Sequence, residues 1–406
     1  MRKVLLLICI ISPVLLWAQG SQVNTQSQKS VGMSGAGSAL YIDETSIFYN
    51  PGALAKMSSN AVSLGTSGIM YRSAFQEVGS DITHETAFKI SPPVSLFAAF
   101  GPKDSWWKAG IGIYNPFGGN VDWGTEWPGR YSLTHLSMRA FYIQPTLSFR
   151  VTENFSIGGG FVYNIGMVDL AKALPYSFPD GSEGHVNLKG TGSGMGYNLG
   201  VHYHLEDEIS ISLNYRSKVN TKLEGGDATF SVPSALSSSI PAENKFDAEL
   251  PLPSTFTLGL ALPLNEKVNI AADASIINYT IYKELGFKFK ENGELLDNVS
   301  DKKYQNAFSL RGGVDIQTNE KLALRAGAGF VYSPVQKQYV YPETPDNNRY
   351  MGSIGFTYSF NPNWDLNAAY VMQYVLPRTA QNVVTKLNGR YATYIHAPGI
   401  SLTYKW

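Results

Sequence analysis

The feature that most restricts this chain is a two-residue alternation that recurs along nearly its whole length. Phe155, Ile157, Gly159, Phe161, Tyr163 and Ile165 alternate with Ser156, Gly158, Gly160, Val162, Asn164 and Gly166. The pattern returns at Ile209, Ile211, Leu213 and Tyr215 against Ser210, Ser212, Asn214 and Arg216. It returns again at Leu322, Leu324, Ala326, Ala328 and Phe330 against Lys321, Ala323, Arg325, Gly327 and Gly329. A period of two belongs to a β-strand with one face in a dry environment and the other in a wet or close-packed one. Counting such runs predicts about 14 strands, each long enough to cross a bilayer at barrel tilt. Their centres fall at Leu64, Leu96, Ile111, Ile143, Gly159, Leu199, Leu213, Leu258, Ala272, Leu310, Ala326, Phe356, Ala368 and Leu402.

Composition narrows what surrounds those strands. Charged residues are 16%, against the ~25% of a soluble domain, and aromatics are 13%. Formal net charge is zero, which excludes a broad basic face for nucleic acid. After the N-terminus no apolar run approaches the ~20 residues of a membrane helix. The prediction is an all-β fold, a 14-stranded antiparallel transmembrane β-barrel. A soluble β-sandwich or propeller is the alternative.

Punctuation favours the barrel. Tight polar turns fall at 102–104, 152–154, 206–208, 265–266, 318–320 and 361–363. Long connections are expected at roughly 116–137, 168–186, 225–251, 284–303, 335–348 and 378–391. Short turns on one side and long loops on the other are the outer-membrane asymmetry, with the short turns periplasmic. Phe100, Trp107, Phe149, Phe155, Phe360 and Trp364 flank the short turns as one aromatic girdle. The last strand points Ile400, Leu402, Tyr404 and Trp406 outward, like the C-terminal signal read by the barrel assembly machinery. Arg2 and Lys3, then apolar Val4 to Leu16, then Trp17-Ala18-Gln19 read as a secretory signal peptide over residues 1–18. Cys9 is the only cysteine and leaves with it, so the mature chain has no disulfide, thiol nucleophile or cysteine metal site. A lipoprotein anchor at Cys9 is disfavoured, because Ile8 stands where a small residue is needed.

Residues 19–58 precede the first strand of a barrel spanning 59–406. They are rich in small residues, Gly32-Met33-Ser34-Gly35-Ala36-Gly37-Ser38-Ala39, which lets a backbone pack closely inside a wall. A lumen of 14 strands is too wide for wall side chains alone, so this segment is expected to fill it as a hatch. Asn50-Pro51-Gly52 is a turn by chemistry. Gly35 to Ala39, followed by Asp43-Glu44-Thr45-Ser46-Ile47-Phe48-Tyr49-Asn50-Pro51-Gly52-Ala53-Leu54-Ala55, resembles the hatch of the FadL family. That family comprises outer-membrane transporters of long-chain fatty acids and aromatic hydrocarbons. The resemblance continues at Gly112 to Gly118, Trp127 to Tyr131 and Glu249 to Gly259, and departs at Gly52, where the family usually has Ala.

The resemblance implies a monomer in which an inward kink of the third strand opens a gap to the bilayer. Gly110 and Gly112, of inward parity on that strand, are the candidates for the kink, or are ordinary barrel glycines. Parity also places Arg150, Arg216, Lys218, Arg311 and Arg325 inside, with Asp273 beside Arg311. A buried Arg could hold a carboxylate ligand or brace wall and hatch through an ion pair such as Asp273–Arg311. Arg325, with no acidic neighbour evident, is the preferred ligand candidate, and Arg311 the second. Trp123, Trp127, Arg130 and Tyr131 could form an outer apolar capture patch or pack the loop on the rim. Asn292-Gly293 predicts a hairpin extending the ninth strand outward. His202 and His204 share a face without a third ligand, so they are read as solvated lumen histidines. No nucleophile motif or phosphate loop is present.

The chain is thus expected to be a non-enzymatic outer-membrane channel without cofactor or metal. It would take up hydrophobic small molecules such as long-chain fatty acids by passive diffusion. Its partners would be the ligand, outer-membrane lipid and lipopolysaccharide, and the barrel assembly machinery, with no nucleic acid. An aromatic-hydrocarbon-specific transporter, a non-selective porin and a structural or adhesive barrel are the alternatives.

Overall fold

A computed structural model describes residues 22–205 and 209–406. The signal-peptide reading and the 206–208 turn lie outside the described residues. Consecutive antiparallel pairings run from one strand to the next around a complete ring. We number the strands β1 (61–77), β2 (83–100), β3 (Trp107–Asp122), β4 (His135–Arg150), β5 (Phe155–Ser177), β6 (Glu183–Leu205), β7 (209–231), β8 (243–265), β9 (268–289), β10 (298–319), β11 (Leu322–Tyr332), β12 (Arg349–Asn361), β13 (Trp364–Gln381) and β14 (Asn388–Lys405). The ring closes where β1 pairs with β14, in register from Ala61↔Lys405 to Ser67↔Gly399. Each of the 14 expected centres lies within its own strand.

The burial pattern is that of a membrane barrel turned outward. Leu64, Leu147, Leu199, Leu310, Ile354 and Ile400 are exposed, while Ser148, Ser156, Asn164, Asn198, Ser212 and Asn367 are buried. Large apolar side chains outside and small polar ones inside suit lipid as the external solvent and rule out a soluble sandwich. Three of the short turns share one device. Asn265, Asn319 and Asn361 each accept two backbone N–H bonds from residues two and three ahead, at 2.9–3.1 Å. That side-chain closure lets each hairpin reverse in a few residues.

Several connections are shorter than the sequence suggested, because the strands climb well past the membrane. β5 and β6 are 23 residues each, leaving 178–182 as their tip. β7 and β8 likewise run to Ser231 and from Glu243. The period of two continues there, with buried Leu223, Ala228 and Phe230 alternating with exposed Glu224, Asp227 and Thr229. Val186, Leu188, Phe230, Ile240 and Phe246 give this raised sheet a small core of its own. The hairpin predicted at Asn292-Gly293 is present, with Glu284–Phe289 pairing with Asn298–Asp301. Its tip is a helical turn, Gly293–Leu296, with Asn292 at φ 51°. The inward placement of Lys218 was wrong. The strand breaks at Ser217 and Lys218, whose Ser217 Oγ accepts from Tyr197 N at 2.8 Å. The break shifts the parity, so Lys218 is exposed and Val219 buried.

Candidate functional site

Residues 22–57 lie among the inward-facing side chains of the wall. They follow an irregular path through single helical turns at Gln28–Val31 and Ser46–Tyr49 and a 3-10 helix at Pro51–Lys56. Asn50 makes the expected turn, its Oδ1 accepting from Gly52 N at 3.1 Å and its Nδ2 donating to Val201 O at 3.1 Å. Gly52 is needed for a different reason than backbone freedom. A Cβ on Gly52 would stand 2.7 Å from Gly200 O, and one on Gly158 would stand 2.3 Å from Pro51 O. This inner segment, expected from the sequence to be a hatch, therefore touches the wall backbone to backbone. Ile47, next along, is held by Gln144 Nε2 and Asn198 Nδ2, which donate to its carbonyl at 2.6 and 3.1 Å.

Gly110 and Gly112 are not where β3 departs from the wall. The ladder runs regularly through both, Gly110 opposite Thr146 and Gly112 opposite Gln144. Their missing side chains make room for the hatch instead: a Cβ on Gly110 would meet Ile47 Cδ1 at 2.6 Å. The irregularity lies at Asn115-Pro116, where the β3–β4 register shifts between Tyr114 and Phe117. The β2–β3 ladder stops at the same height, at Ser95↔Tyr114. Above it β2 carries Pro92-Pro93, two residues with no N–H to donate. Beyond them Lys89–Ser91 pairs only with β1. The strands rejoin near the top, through Ala87 N to Asp122 O at 2.7 Å and a 2.6 Å Lys89–Asp122 ion pair. The carbonyls freed by the bulge are taken by the hatch. Asn115 O accepts from Gln26 Nε2 and Pro116 O from Val23 N, both at 2.8 Å.

A cavity of about 300 Å³ occupies this break. It is lined on the lumen side by Gln373, Val375, Thr393 and Ala397, and on the lipid side by Ile90, Val94, Arg139 and Phe141. Both faces of one sheet border it, so it passes through the wall. Residues 22–25 line its inner end. Two proline signals mark this place in the sequence, Pro92-Pro93 and Asn115-Pro116.

The arginines separate into different roles. Arg325 has an acidic partner after all: its Nε donates to Asp315 Oδ2 at 2.6 Å, with Tyr41 OH and Thr357 Oγ1 completing the cluster at 2.8 and 2.7 Å. It braces hatch and wall. Asp315 sits directly across the ladder from Arg325 and shares the inward parity of Arg311, so register would have found it. Asp273 does not pair with Arg311. It accepts from Gly37 N and Ser38 N, each at 3.2 Å, and so anchors the hatch backbone. Arg311 and Arg216 are both buried beside a second, polar cavity. Arg150 stays at the periplasmic rim, donating to Asp104 O at 3.0 Å.

Trp123 and Trp127 are buried rather than displayed. Their rings stack at 4.5 Å, and their Nε1 atoms donate to Pro342 O at 3.0 Å and Leu133 O at 2.9 Å. With Phe75, Val335, Val340 and Tyr391 they form an apolar cap over the outer end of the lumen. Buried indole that satisfies its N–H is stable there, which an exposed capture patch would forgo. Arg130 locks the loop by a two-point pair with Glu183 at 2.6 and 2.9 Å, and Tyr131 joins the same carboxylate. His202 is buried, not solvated, with Nε2 3.2 Å from Ala39 O, while His204 Nδ1 bonds Ser210 Oγ. Among the described residues no group of three His, Cys, Asp or Glu could hold a metal.

The family model "Outer membrane protein transport protein (OMPP1/FadL/TodX)" matches residues 10–405. A putative outer membrane protein of Neisseria meningitidis serogroup B is 23% identical over 460 residues, covering 100% of this chain and 98% of its own. The long-chain fatty acid transport protein of Salmonella typhi is 23% identical, covering 85% of each chain. Among solved structures, a Pseudomonas aeruginosa FadL homologue superposes with a TM-score of 0.85 at 19% identity, over 95% of this chain and 99% of that one. The Pseudomonas putida toluene transporter TodX does so at 0.72 and 19%, over 96% and 99%. With its closed 14-stranded barrel, this chain belongs to the OMPP1/FadL/TodX family of outer-membrane transport proteins and is a protein of the Gram-negative outer membrane.

Proposed function

We propose that this protein is a passive channel for hydrophobic small molecules, which occupy the lumen cavity and leave sideways through the β2–β3 gap into the membrane. The observation that carries this is the 300 Å³ cavity bordered by both faces of the wall. Its size suits a small apolar ligand. A molecule leaving through it reaches the bilayer without crossing the polar layer outside or bulk water below. Residues 22–57 act as the hatch. The segment 22–26, bonded to the bulge carbonyls, is the part that must shift for the inner end to open.

The hatch also argues against a non-selective porin, because it fills the lumen that water would need. The capped outer mouth makes ligand entry depend on movement of the loops bearing Trp123 and Trp127. Named relatives carry fatty acids or toluene, and this chain's ligand falls in that hydrophobic range.

The test removes Pro116. Two residues, Asn115 and Pro116, now face Phe141 alone across the β3–β4 ladder. Deleting one restores one-to-one pairing and should seal the gap. Uptake of labelled oleate and toluene would be measured in cells with no other uptake route. Wild-type protein should support uptake, and the deletion should lower it at least tenfold with a heat-modifiable, folded barrel retained. Equal uptake by the deletion would sink lateral exit. No uptake of either compound by the wild type would sink the channel reading itself.

A further inference from the structure

On one side of the barrel a row of rings marks the outer edge of the membrane. Phe330, Tyr350, Tyr374 and Tyr394 stand directly opposite one another across β11, β12, β13 and β14. Tyr350, Tyr374 and Tyr394 lie ten residues along their strands from Phe360, Trp364 and Tyr404 at the periplasmic end. Ten residues at ~3.3 Å each, tilted as barrel strands are, rise about 25 Å, the height of the apolar band. Aromatic side chains are favoured at such an interface.

The other side is built differently at that height and above it. On β4 exposed Arg139 lies ten residues from Phe149, and on β5 Ile165 lies ten from Phe155. The cross-strand neighbours of Arg139 are Gly118 and Met167, which carry no charge. From Ile165 the ladder leads to Ser193, Lys222 and Glu249 on β6, β7 and β8. Four residues higher on β5 comes a row of alternating charge. Asp169, Lys189, Asp227 and Lys245 stand directly opposite one another across β5, β6, β7 and β8. Lys189 pairs with Asp169 at 3.3 Å and Lys245 with Asp227 at 2.5 Å, while Lys290, just past β9, pairs with Asp247. Exposed ion pairs contribute little to stability, so folding alone does not account for a straight row of them about 10 Å above the apolar band.

We propose that the outward face of β4–β8 is a binding surface for lipopolysaccharide, the phosphorylated glycolipid of the outer leaflet. Arg139 and Lys222 meet its phosphates at the edge of the apolar band. The row from Asp169 to Lys245 meets the phosphates and bridging divalent cations above. Height selects this partner, because at that level the outer leaflet presents phosphate groups with Mg²⁺ or Ca²⁺ between them rather than acyl chains. Both signs of the row then have a use. A phosphate draws a lysine from its aspartate through charge-assisted bonds, and the released carboxylate is an oxygen ligand for a divalent cation. A row of one sign would engage only half of that layer. The acyl chains lie below, against exposed Phe161, Met195, Tyr197 and Leu199. This surface is outside the lumen and stands without the channel reading. It does adjoin the β2–β3 break, since Arg139 also lines the lipid side of the through-wall cavity.

The experiment titrates short-core lipopolysaccharide against the purified full-length barrel in neutral detergent with Mg²⁺, read by native mass spectrometry. Wild type should bind it at least tenfold more tightly than phosphatidylglycerol, an anionic lipid with a single phosphate. The triple variant Lys189→Gln, Lys222→Gln, Lys245→Gln should lose at least tenfold, with a heat-modifiable barrel retained because all three side chains are exposed. Arg139→Gln, whose ladder neighbours are uncharged, should lose at least threefold and gives the same test if the triple variant does not fold. Arg72→Gln, across the ladder from Tyr394 on the aromatic side, should bind as wild type does. Chelating Mg²⁺ should weaken wild-type binding at least threefold. Equal affinity for the two lipids overturns the site and leaves a general anionic-lipid contact. Undiminished binding by the folded triple variant or by Arg139→Gln overturns it too, as does an equal loss in Arg72→Gln. Binding indifferent to chelation overturns the role given to the aspartates.

Discussion

The hatch meets the barrel in two different ways on its two sides. Against β7 and β9–β12 it is fastened by side chains that reach out from the wall. Asp273 holds Gly37 and Ser38, Ser353 Oγ accepts from Ser34 N at 2.7 Å, Ser212 bonds Ser38, and Arg325 with Asp315 grips Tyr41. Against β3 the segment 22–26 rests on two backbone carbonyls of a bulge, beside a cavity. The first side uses buried charge-assisted bonds, which are about twice as strong as neutral ones. The second uses bonds that water in the cavity could replace. The inner segment is thus anchored firmly on one side and lightly on the other, and in the proposed function the lightly held end is the one that shifts.

The sharpest way to break this comparison is Arg325→Met. It leaves Asp315 buried and unpaired, a loss of about 3–5 kcal/mol. The fastened side should loosen, seen as faster hydrogen exchange across 28–49 and a rise in single-channel conductance. The ratio of oleate to toluene uptake should not change, because this arginine is occupied by Asp315. A selective loss of oleate binding would reassign it as a ligand residue.

A smaller effect comes from Glu44. Burial and the neighbouring Asp43 carboxyl push Glu44 up to about 7 from 4.5, against the opposing pull of Lys29 and Ser63. The folded pKa is raised, so the stabilisation is fully present below the unfolded value of 4.5 and is lost as pH rises through about 7. Protection of the amides of this segment, with the intrinsic pH dependence of exchange divided out, should therefore be higher at pH 5.5 than at pH 8, by about 2 kcal/mol at ~1.4 kcal/mol per unit. Glu44→Gln should flatten that dependence. An unchanged pH profile in the variant would assign the effect to another group.

The smallest effect sharpens the lightly held side. Gln26→Ala removes the donor to Asn115 O and should cost only about 1 kcal/mol. Exchange at 22–26 should rise while that at 34–49 stays constant, with uptake altered less than twofold. A large stability loss would mean that both sides are fastened alike.

Legibility in the sequence followed the range of the interactions. Asn50-Pro51-Gly52 and the Asn-closed turns were readable because a few adjacent residues make them. Arg325 was misread because its partner, Asp315, is ten residues away on the facing strand and appears only once register is known. The tryptophans at 123 and 127 were undecided because their cover comes from Phe75, Val335 and Tyr391, far along the chain. Lys218 was misplaced because one break in the ladder inverts every parity beyond it.

By itself the sequence determined the strand number, the outward and inward faces, the side bearing the short turns and the presence of an inner segment. Each of these is written in a period of two or a run of small residues, and lipid outside leaves such a pattern only one stable orientation. Tertiary structure decided where the wall ladder breaks and which partners the buried charges take. A gap exists only where the unpaired stretches of β2 and β3 coincide in height, at Pro92-Pro93 and Asn115-Pro116. Asp273 stands opposite Arg311 in the ladder, yet its oxygens are taken by the backbone of the inner segment. Both depend on the path of the hatch through the closed ring, and no local pattern encodes that path.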